Sequence, residues 1–374
     1  MRAEGRARRG PGAVHPHRRR NVLIGATLLG AFIPPIAARV AAERLRRRPD
    51  PERGESISEP MGEEGRYVPV SDGVRLYVEE LGNGPTVVLV HGWFCNTDMW
   101  HYQKKLLRDR FRLVCFDQRG HCRSACPDSR PVALDTLAGD LKTVLDSIDA
   151  EGPVVLAGHS MGGISILKFT EMFGEELGRR VAGVALIDTS HMPMHGTVAG
   201  GGALRLVGKP LVEPAFRWAV EHPRLSDGVK RMVIGTSPFL VATRYLGYGS
   251  GASLTQMEYI TEMAGKTTMK GASQAALGLL EIEEPISLEP LRASGIPVLI
   301  WVGEKDKLTR PRASVLMAAE LPGSELHVIP DTGHPSYMEE YRLFNEVLES
   351  FCAGAFAGGE RDPRPPVPTP SGEE

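Results

Sequence analysis

The 374 residues, 42% hydrophobic and 24% charged, are enough for a full-size core and one large domain carrying an insertion. The net charge of −2 is unevenly spread: twelve arginines face only Glu4, Glu43 and Asp50 in residues 1–50, which leaves −11 on the remaining chain. A domain that acidic is a poor nucleic-acid binder, and the chain contains no internal repeats.

The first element in chain order is apolar. Residues 21–38 carry no charge; Arg18-Arg19-Arg20 precede them, and Arg39, Arg44, Arg46, Arg47 and Arg48 follow. The 17 residues 22–38 lie at the short end of a bilayer span and are interrupted by Pro34-Pro35. Arg19-Arg20-Asn21-Val22-Leu23 resembles a twin-arginine export signal with Val40-Ala41-Ala42 as a candidate cleavage site, whereas the basic cluster beyond it opposes export. The segment predicts a chain that is membrane-associated through residues 21–38 or exported, with cytoplasmic face and cell envelope both open. A basic leader in solution or on an anionic membrane surface is the plain alternative. Residues 43–65 read as a charged linker, which closes a leader region of residues 1–65.

Residues 67–70 and 74–80 then alternate as an antiparallel hairpin around Ser71-Asp72-Gly73. Buried-strand patterns follow near 86–90, 111–116, 154–157, 182–187, 297–302 and 325–329, separated by helical runs, the pattern of a parallel sheet covered on both faces. The interval between the fourth and fifth of these is too long for one crossover helix, and its segments near 203–221, 225–247, 253–265 and 272–281 look helical. This predicts a core of residues 66–190 and 291–353 with a helical cap over 191–290. Residues 354–374, rich in glycine, proline and acid, read as a disordered tail.

The chemistry concentrates after three of the strands. Ala157-Gly158-His159-Ser160-Met161-Gly162-Gly163 follows the apolar run Val154-Val155-Leu156, and a Gly-x-Ser-x-Gly turn between strand and helix exposes the serine hydroxyl at the N-terminus of that helix. A serine hydroxyl is a weak nucleophile that needs a base, and the base needs an orienting carboxylate. Asp306 follows the strand pattern 298–302, and His334 follows 325–329 in the loop Asp331-Thr332-Gly333-His334. Asp188, just after 184–187, competes with Asp306 for the carboxylate role. His91, His121 and His159 sit in loop motifs where a ring-to-backbone hydrogen bond is the commoner use, and His327 lies within a strand pattern.

The order Ser160, Asp306, His334, each after a predicted parallel strand, resembles the α/β-hydrolase family, in particular its serine esterase and lipase-like members with a cap, over about residues 67–351. Thr86-Val87-Val88-Leu89-Val90-His91-Gly92-Trp93 is similar to the family's third strand and its His-Gly turn. Asp117-Gln118-Arg119-Gly120-His121-Cys122-Arg123-Ser124 is similar to its Asp-x-Arg-Gly-x-Gly-x-Ser loop, with Cys122 where glycine is usual. The resemblance implies a mostly parallel eight-stranded sheet with helices on both faces and a helical cap inserted after strand six. It also implies Ser160 as nucleophile, His334 as general base, Asp306 as orienting acid, and the backbone N–H groups of Trp93 and Met161 as an oxyanion hole.

No phosphate loop, dinucleotide fingerprint or metal-ligand spacing is present, so no cofactor and no metal are implied. Cys95, Cys115, Cys122, Cys126 and Cys352 form no Cys-x-x-Cys pair and read as small buried or loop thiols, although a Cys122–Cys126 bridge is conceivable. Met and aromatic residues of the cap, among them Phe216, Trp218, Tyr245 and Met257, are chiefly cap core, but some must roof a cleft at the strand ends. Gly200-Gly201-Gly202 and residues 247–251 are candidate hinges. The expected activity is cofactor-free cleavage of a lipophilic carboxylic ester through an acyl-enzyme on Ser160. Carbon–carbon bond hydrolysis or a cofactor-free haloperoxidase or perhydrolase reaction on the same triad, and a non-catalytic ligand-binding module, are the alternatives. Epoxide opening is disfavoured, because relatives that perform it carry aspartate at the elbow. Oligomeric state is left open.

Overall fold

The computed structural model describes residues 35–54, 64–124, 130–194 and 209–358. Eight strands form one sheet in the order β1-β2-β4-β3-β5-β6-β7-β8: β1 (Arg66–Pro69), β2 (Arg75–Leu81), β3 (Thr86–Val90), β4 (Arg112–Phe116), β5 (Val154–His159), β6 (Val181–Ile187), β7 (Val298–Gly303) and β8 (Glu325–Ile329). Strands β1 and β2 pair antiparallel, β2 runs antiparallel to β4, and the rest of the ladder is parallel. This is the α/β-hydrolase fold that the strand pattern and motifs imply.

All six residues of β5 are buried, and their period-2 alternation divides them between two cores. Val154 and Leu156 join Val88, Val90, Leu141 and Phe169 on one face, whereas Val155 and Ala157 join Leu89, Trp301 and Phe344 on the other. Helices α3 (Leu134–Ser147) and α4 (Met161–Met172) cover the first face; α2 (His101–Leu107) and the last helix, α13 (Tyr341–Phe356), cover the second. Chain direction across the sheet reverses between β3 and β5, so the loops leaving those two strands diverge and open a crevice at their C-terminal ends.

Between β6 and β7 the chain forms the helices α5 (Lys209–Glu221), α6 (Pro223–Val233), α7 (Ser237–Gly247), α8 (Leu254–Lys266), α9 (Met269–Leu280) and α10 (Glu289–Ser294). Side-chain caps set several of their starts: Thr236 for α7, Thr268 for α9, and for α8 a reciprocal pair in which Ser253 takes the Gln256 N–H while the Gln256 side chain takes the Ser253 N–H. After β7 come α11 (Pro311–Glu320) and the short α12 (Ser336–Glu339).

The structure corrects the expectation of membrane association or export. Among the described residues no helix is long and apolar enough to cross a membrane. Residues 35–38 of the apolar run start α1 (Pro35–Arg46), whose 12 residues reach about 18 Å, well short of a hydrocarbon core of about 30 Å. Its apolar stripe is already occupied: Ala42 and Leu45 pack with Leu240, Val241, Tyr248, Ala252 and Met257 of the cap. The candidate cleavage site Val40-Ala41-Ala42 lies inside this helix with Ala42 fully buried. The following segment is also docked, since Asp50 accepts from the Thr255 N–H at 3.0 Å and the buried Glu52 accepts from the Ser253 hydroxyl. Residues 1–34, 200–202 and 359–374 and Cys126 lie outside the described residues, and with them the twin-arginine motif, the first glycine cluster and nearly all of the expected tail.

Candidate active site

Ser160 joins β5 to α4 with φ +52° and ψ −119°, a left-handed conformation that costs a non-glycine residue on the order of 1–3 kcal/mol. Its surroundings hold it there. The Ser160 N–H donates to the Ile187 carbonyl at 2.9 Å, and the Thr189 hydroxyl donates to the Ser160 carbonyl at 2.7 Å. Glycine at 162 is a packing requirement, because a Cβ there would lie 2.1 Å from the Val90 carbonyl oxygen at the end of β3. The result puts the hydroxyl at the positive end of α4.

His334 reaches the serine from the loop after β8. Its Nε2 lies 2.9 Å from Ser160 Oγ, and its Nδ1 lies 2.8 Å from Asp306 Oδ2. A carboxylate only accepts, so Nδ1 carries the proton and Nε2 is left as the acceptor for the serine O–H. Asp306 is itself fixed in a turn: Oδ1 accepts the Leu308 and Thr309 N–H groups at 2.7 and 2.9 Å, and the Thr309 hydroxyl lies 2.8 Å from Oδ2. The Asp306 side chain is fully buried, while that of His334 retains 12% exposure, enough for access from the crevice.

Asp188, the competing acid, faces elsewhere. A φ of +44° turns its buried carboxylate toward the Gly303 N–H (3.0 Å), the Ser336 N–H (3.0 Å) and the Ser336 hydroxyl (2.7 Å). It joins the end of β7 to the start of α12, on either side of the residues that carry Asp306 and His334. Burial, and next the neighbouring Asp306 charge, push its carboxyl well above the usual carboxylate range.

The His91-Gly92-Trp93 turn lies against the serine, since a Cβ on Gly92 would be 3.3 Å from Ser160 Cβ. His91 is a fully buried strut: Nε2 accepts from the Gln118 N–H at 2.7 Å and Nδ1 donates to the Gly92 carbonyl at 2.7 Å, while burial holds its pKa well below the ordinary histidine value. His121 and His159 likewise contact backbone carbonyls, those of Arg119 (3.1 Å) and His334 (3.2 Å), and burial lowers both, His121 to about 4. His327 pairs with Glu325 at 2.7 Å, away from the crevice. In the loop after β4, Cys122 keeps a left-handed φ of +42°, so the turn retains the conformation that glycine would favour. Cys95, Cys115, Cys122 and Cys352 are free thiols, and burial pushes those of Cys95 and Cys115 up to about 12.

Above the crevice, the Trp93 indole N–H donates to the Ala272 carbonyl of α9 at 2.7 Å, and its ring meets Phe94 and Phe216 edge-on at centroid separations of 4.7 and 6.1 Å. Met161 packs in the same apolar cluster as Ala275 and Leu279 of α9. The residues expected to supply the oxyanion donors therefore lie against an apolar roof. Among the described residues no group of His, Cys, Asp and Glu side chains could hold a metal ion. Thr309 is a site residue that sequence reading passed over; a threonine three positions after an acid in a polar turn was its only signal.

A family model described as the alpha/beta hydrolase fold matches residues 85–341, and the chain belongs to that family. The class of protein so defined is a hydrolase. The chain is 28% identical over 288 residues to a non-heme haloperoxidase of Rhodococcus erythropolis, covering 76% of this chain and 98% of the relative. It is 24% identical over 288 residues to a Bacillus subtilis protein described as an AB hydrolase superfamily protein, covering 77% and 98%. Among solved structures, a thermophilic esterase from Thermogutta terrifontis superposes with a TM-score of 0.62 at 26% identity, covering 78% of this chain and 99% of that one.

Proposed function

We propose that the protein is a cofactor-free serine hydrolase that cleaves a lipophilic carboxylic ester through an acyl-enzyme on Ser160. The observation that carries this reading is the unbroken line from Asp306 through His334 to Ser160, at 2.8 and 2.9 Å, ending on a serine held at the N-terminus of a helix. In the first step His334 Nε2 takes the hydroxyl proton as Ser160 Oγ attacks the ester carbonyl, and Asp306 stabilises the imidazolium. The Trp93 and Met161 N–H groups receive the developing oxyanion. His334 then protonates the departing alcohol, and in the second half-reaction activates water to release the acid. Residues 191–290 act as a cap over this cleft, and the apolar contacts of Trp93, Phe216 and Met161 support an uncharged, lipophilic acyl group.

The similarity to a protein named as a non-heme haloperoxidase favours one second reading, in which hydrogen peroxide rather than water intercepts the acyl-enzyme. Hydrolysis of p-nitrophenyl esters of graded chain length tests the main reading. Turnover is expected to peak on medium or long acyl chains and to fall by at least about 10⁴-fold in Ser160→Ala. Undiminished turnover in that variant removes Ser160 as nucleophile, and a peak on acetate removes the lipophilic acyl site.

A further inference from the structure

The loop carrying His334 is anchored on the cap as well as on the sheet. The His334 N–H donates to the Gly247 carbonyl at the end of α7 at 2.6 Å, and the Ser250 hydroxyl donates to the Asp331 carboxylate. Between these contacts lies Glu339, the last residue of α12. Its carboxylate accepts the Gly333 N–H at 2.7 Å and the Gly249 N–H at 3.0 and 3.1 Å. One side chain therefore binds an amide of the histidine loop and an amide of the cap. The two backbones nest without room for side chains: a Cβ on Gly249 would lie 1.7 Å from the Asp331 carbonyl oxygen, and one on Gly333 would lie 2.2 Å from the Gly247 carbonyl oxygen. The 247–251 segment, expected as a hinge, is thus a docking point. It is reinforced from outside by Arg48, which donates to the Ser250 carbonyl at 3.1 Å, and by Arg244, which donates to the Tyr248 carbonyl at 2.9 Å.

Resting on the reading of His334 as general base, we propose that Glu339 is a positioning residue whose carboxylate staples the histidine loop to the cap, and that the imidazole's alignment on Ser160 depends on this staple. Gly333 immediately precedes His334, so movement of that amide displaces the ring, and a displacement of about 1 Å in such a site costs on the order of 10- to 100-fold in rate. Ionisation matters because both oxygens accept. Protonation turns one of them into a donor facing an N–H, which opposes the contact. The charged groups around it are Arg244 from α7, with Arg48 beyond it, Asp331 on the histidine loop and Glu340 next in sequence, beside the buried phenol of Tyr248. Burial dominates and pushes the Glu339 carboxyl up to about 7, inside the range of ordinary assays. Activity should therefore rise with pH through the ionisation of Glu339.

The test is kcat against pH for the full chain and for Glu339→Gln on p-nitrophenyl butyrate, from about pH 5 to 9. The wild type is expected to lose log kcat on the acid side more steeply than the variant, by up to one unit of slope near pH 7. The variant should lose that added slope and show a kcat at pH 8 lower by about 10- to 100-fold. An unchanged slope with a uniform fall in rate makes Glu339 merely structural and overturns the proposal. Should the variant fail to fold, the amide resonances of Gly333 and Gly249 in the wild type decide. They must titrate together near pH 7, and independence from pH sinks the staple. A wild type without Ser160-dependent turnover defeats the ester-hydrolase reading instead, and the paired amide titration then still judges the staple by itself.

Discussion

The C-terminal edge of the sheet and the cap above it are built by different means. At the edge, parallel strands deliver Ser160, Asp306 and His334 from positions separated by up to 174 residues; Ser160 and Asp306 are fixed by bonds within their own turns or to the adjacent strand, whereas the His334 loop is also tied to the cap through Gly247. The cap is joined from far along the chain. Helix α1 fills its outer groove, Asp50 and Glu52 bind the start of α8, Trp93 reaches α9, and Glu339 binds the loop after α7. The serine and acid turns can therefore hold their geometry locally, while the cap's placement, and with it the His334 loop, depends on a handful of long-range contacts, several of them made by carboxylates. Under the proposed function, the first region carries the chemistry and the second shapes the choice of substrate.

Substitutions that separate the two regions test this division. The largest effect is expected at the edge: Asp306→Asn should lower kcat by about 10⁴-fold by favouring the wrong histidine tautomer, with little change in unfolding temperature. Asp188→Asn should behave in the opposite way. It places an amide N–H₂ among the donors of Gly303 and Ser336, which should cost about 1–3 kcal/mol in urea unfolding while kcat falls by no more than about tenfold. If Asp188→Asn silences turnover and Asp306→Asn does not, the acid belongs after β6. In the cap, Leu45→Ala removes a buried side chain from the α1 contact and should cost about 2–3 kcal/mol. Its kinetic signature should be a raised KM for long-chain esters with kcat on short ones nearly intact; equal loss on both would tie α1 to the edge instead.

The same division governs what could be read from the sequence. The elbow was legible because its requirements are local: a buried strand, glycine where Val90 approaches, and a helix starting at Met161. The strand pattern likewise gave the sheet, since β3 and β5 to β7 are buried on both faces and stand out as continuous apolar runs. Asp188 and Asp306 could not be separated, as each follows a buried strand; the difference is the left-handed backbone at Asp188, which points its carboxylate at Ser336. Residues 35–38 read as the end of a membrane or signal segment, 40–42 as a candidate cleavage site and 43–46 as the start of a charged linker, because hydropathy does not reveal a partner, and theirs is a groove on Leu240 and Tyr248 some 200 residues away. Glu339, one of two consecutive acids ahead of a helix, carried no local mark of its burial or of the two amides it holds.

The most direct test of the central claim is peptide mapping by mass spectrometry after treatment with a fluorophosphonate. A reactive serine aligned with its histidine predicts stoichiometric phosphonylation of Ser160, strongly slowed in His334→Ala and absent in Ser160→Ala. A folded wild-type protein that stays unlabelled, or is labelled at another residue, would contradict it.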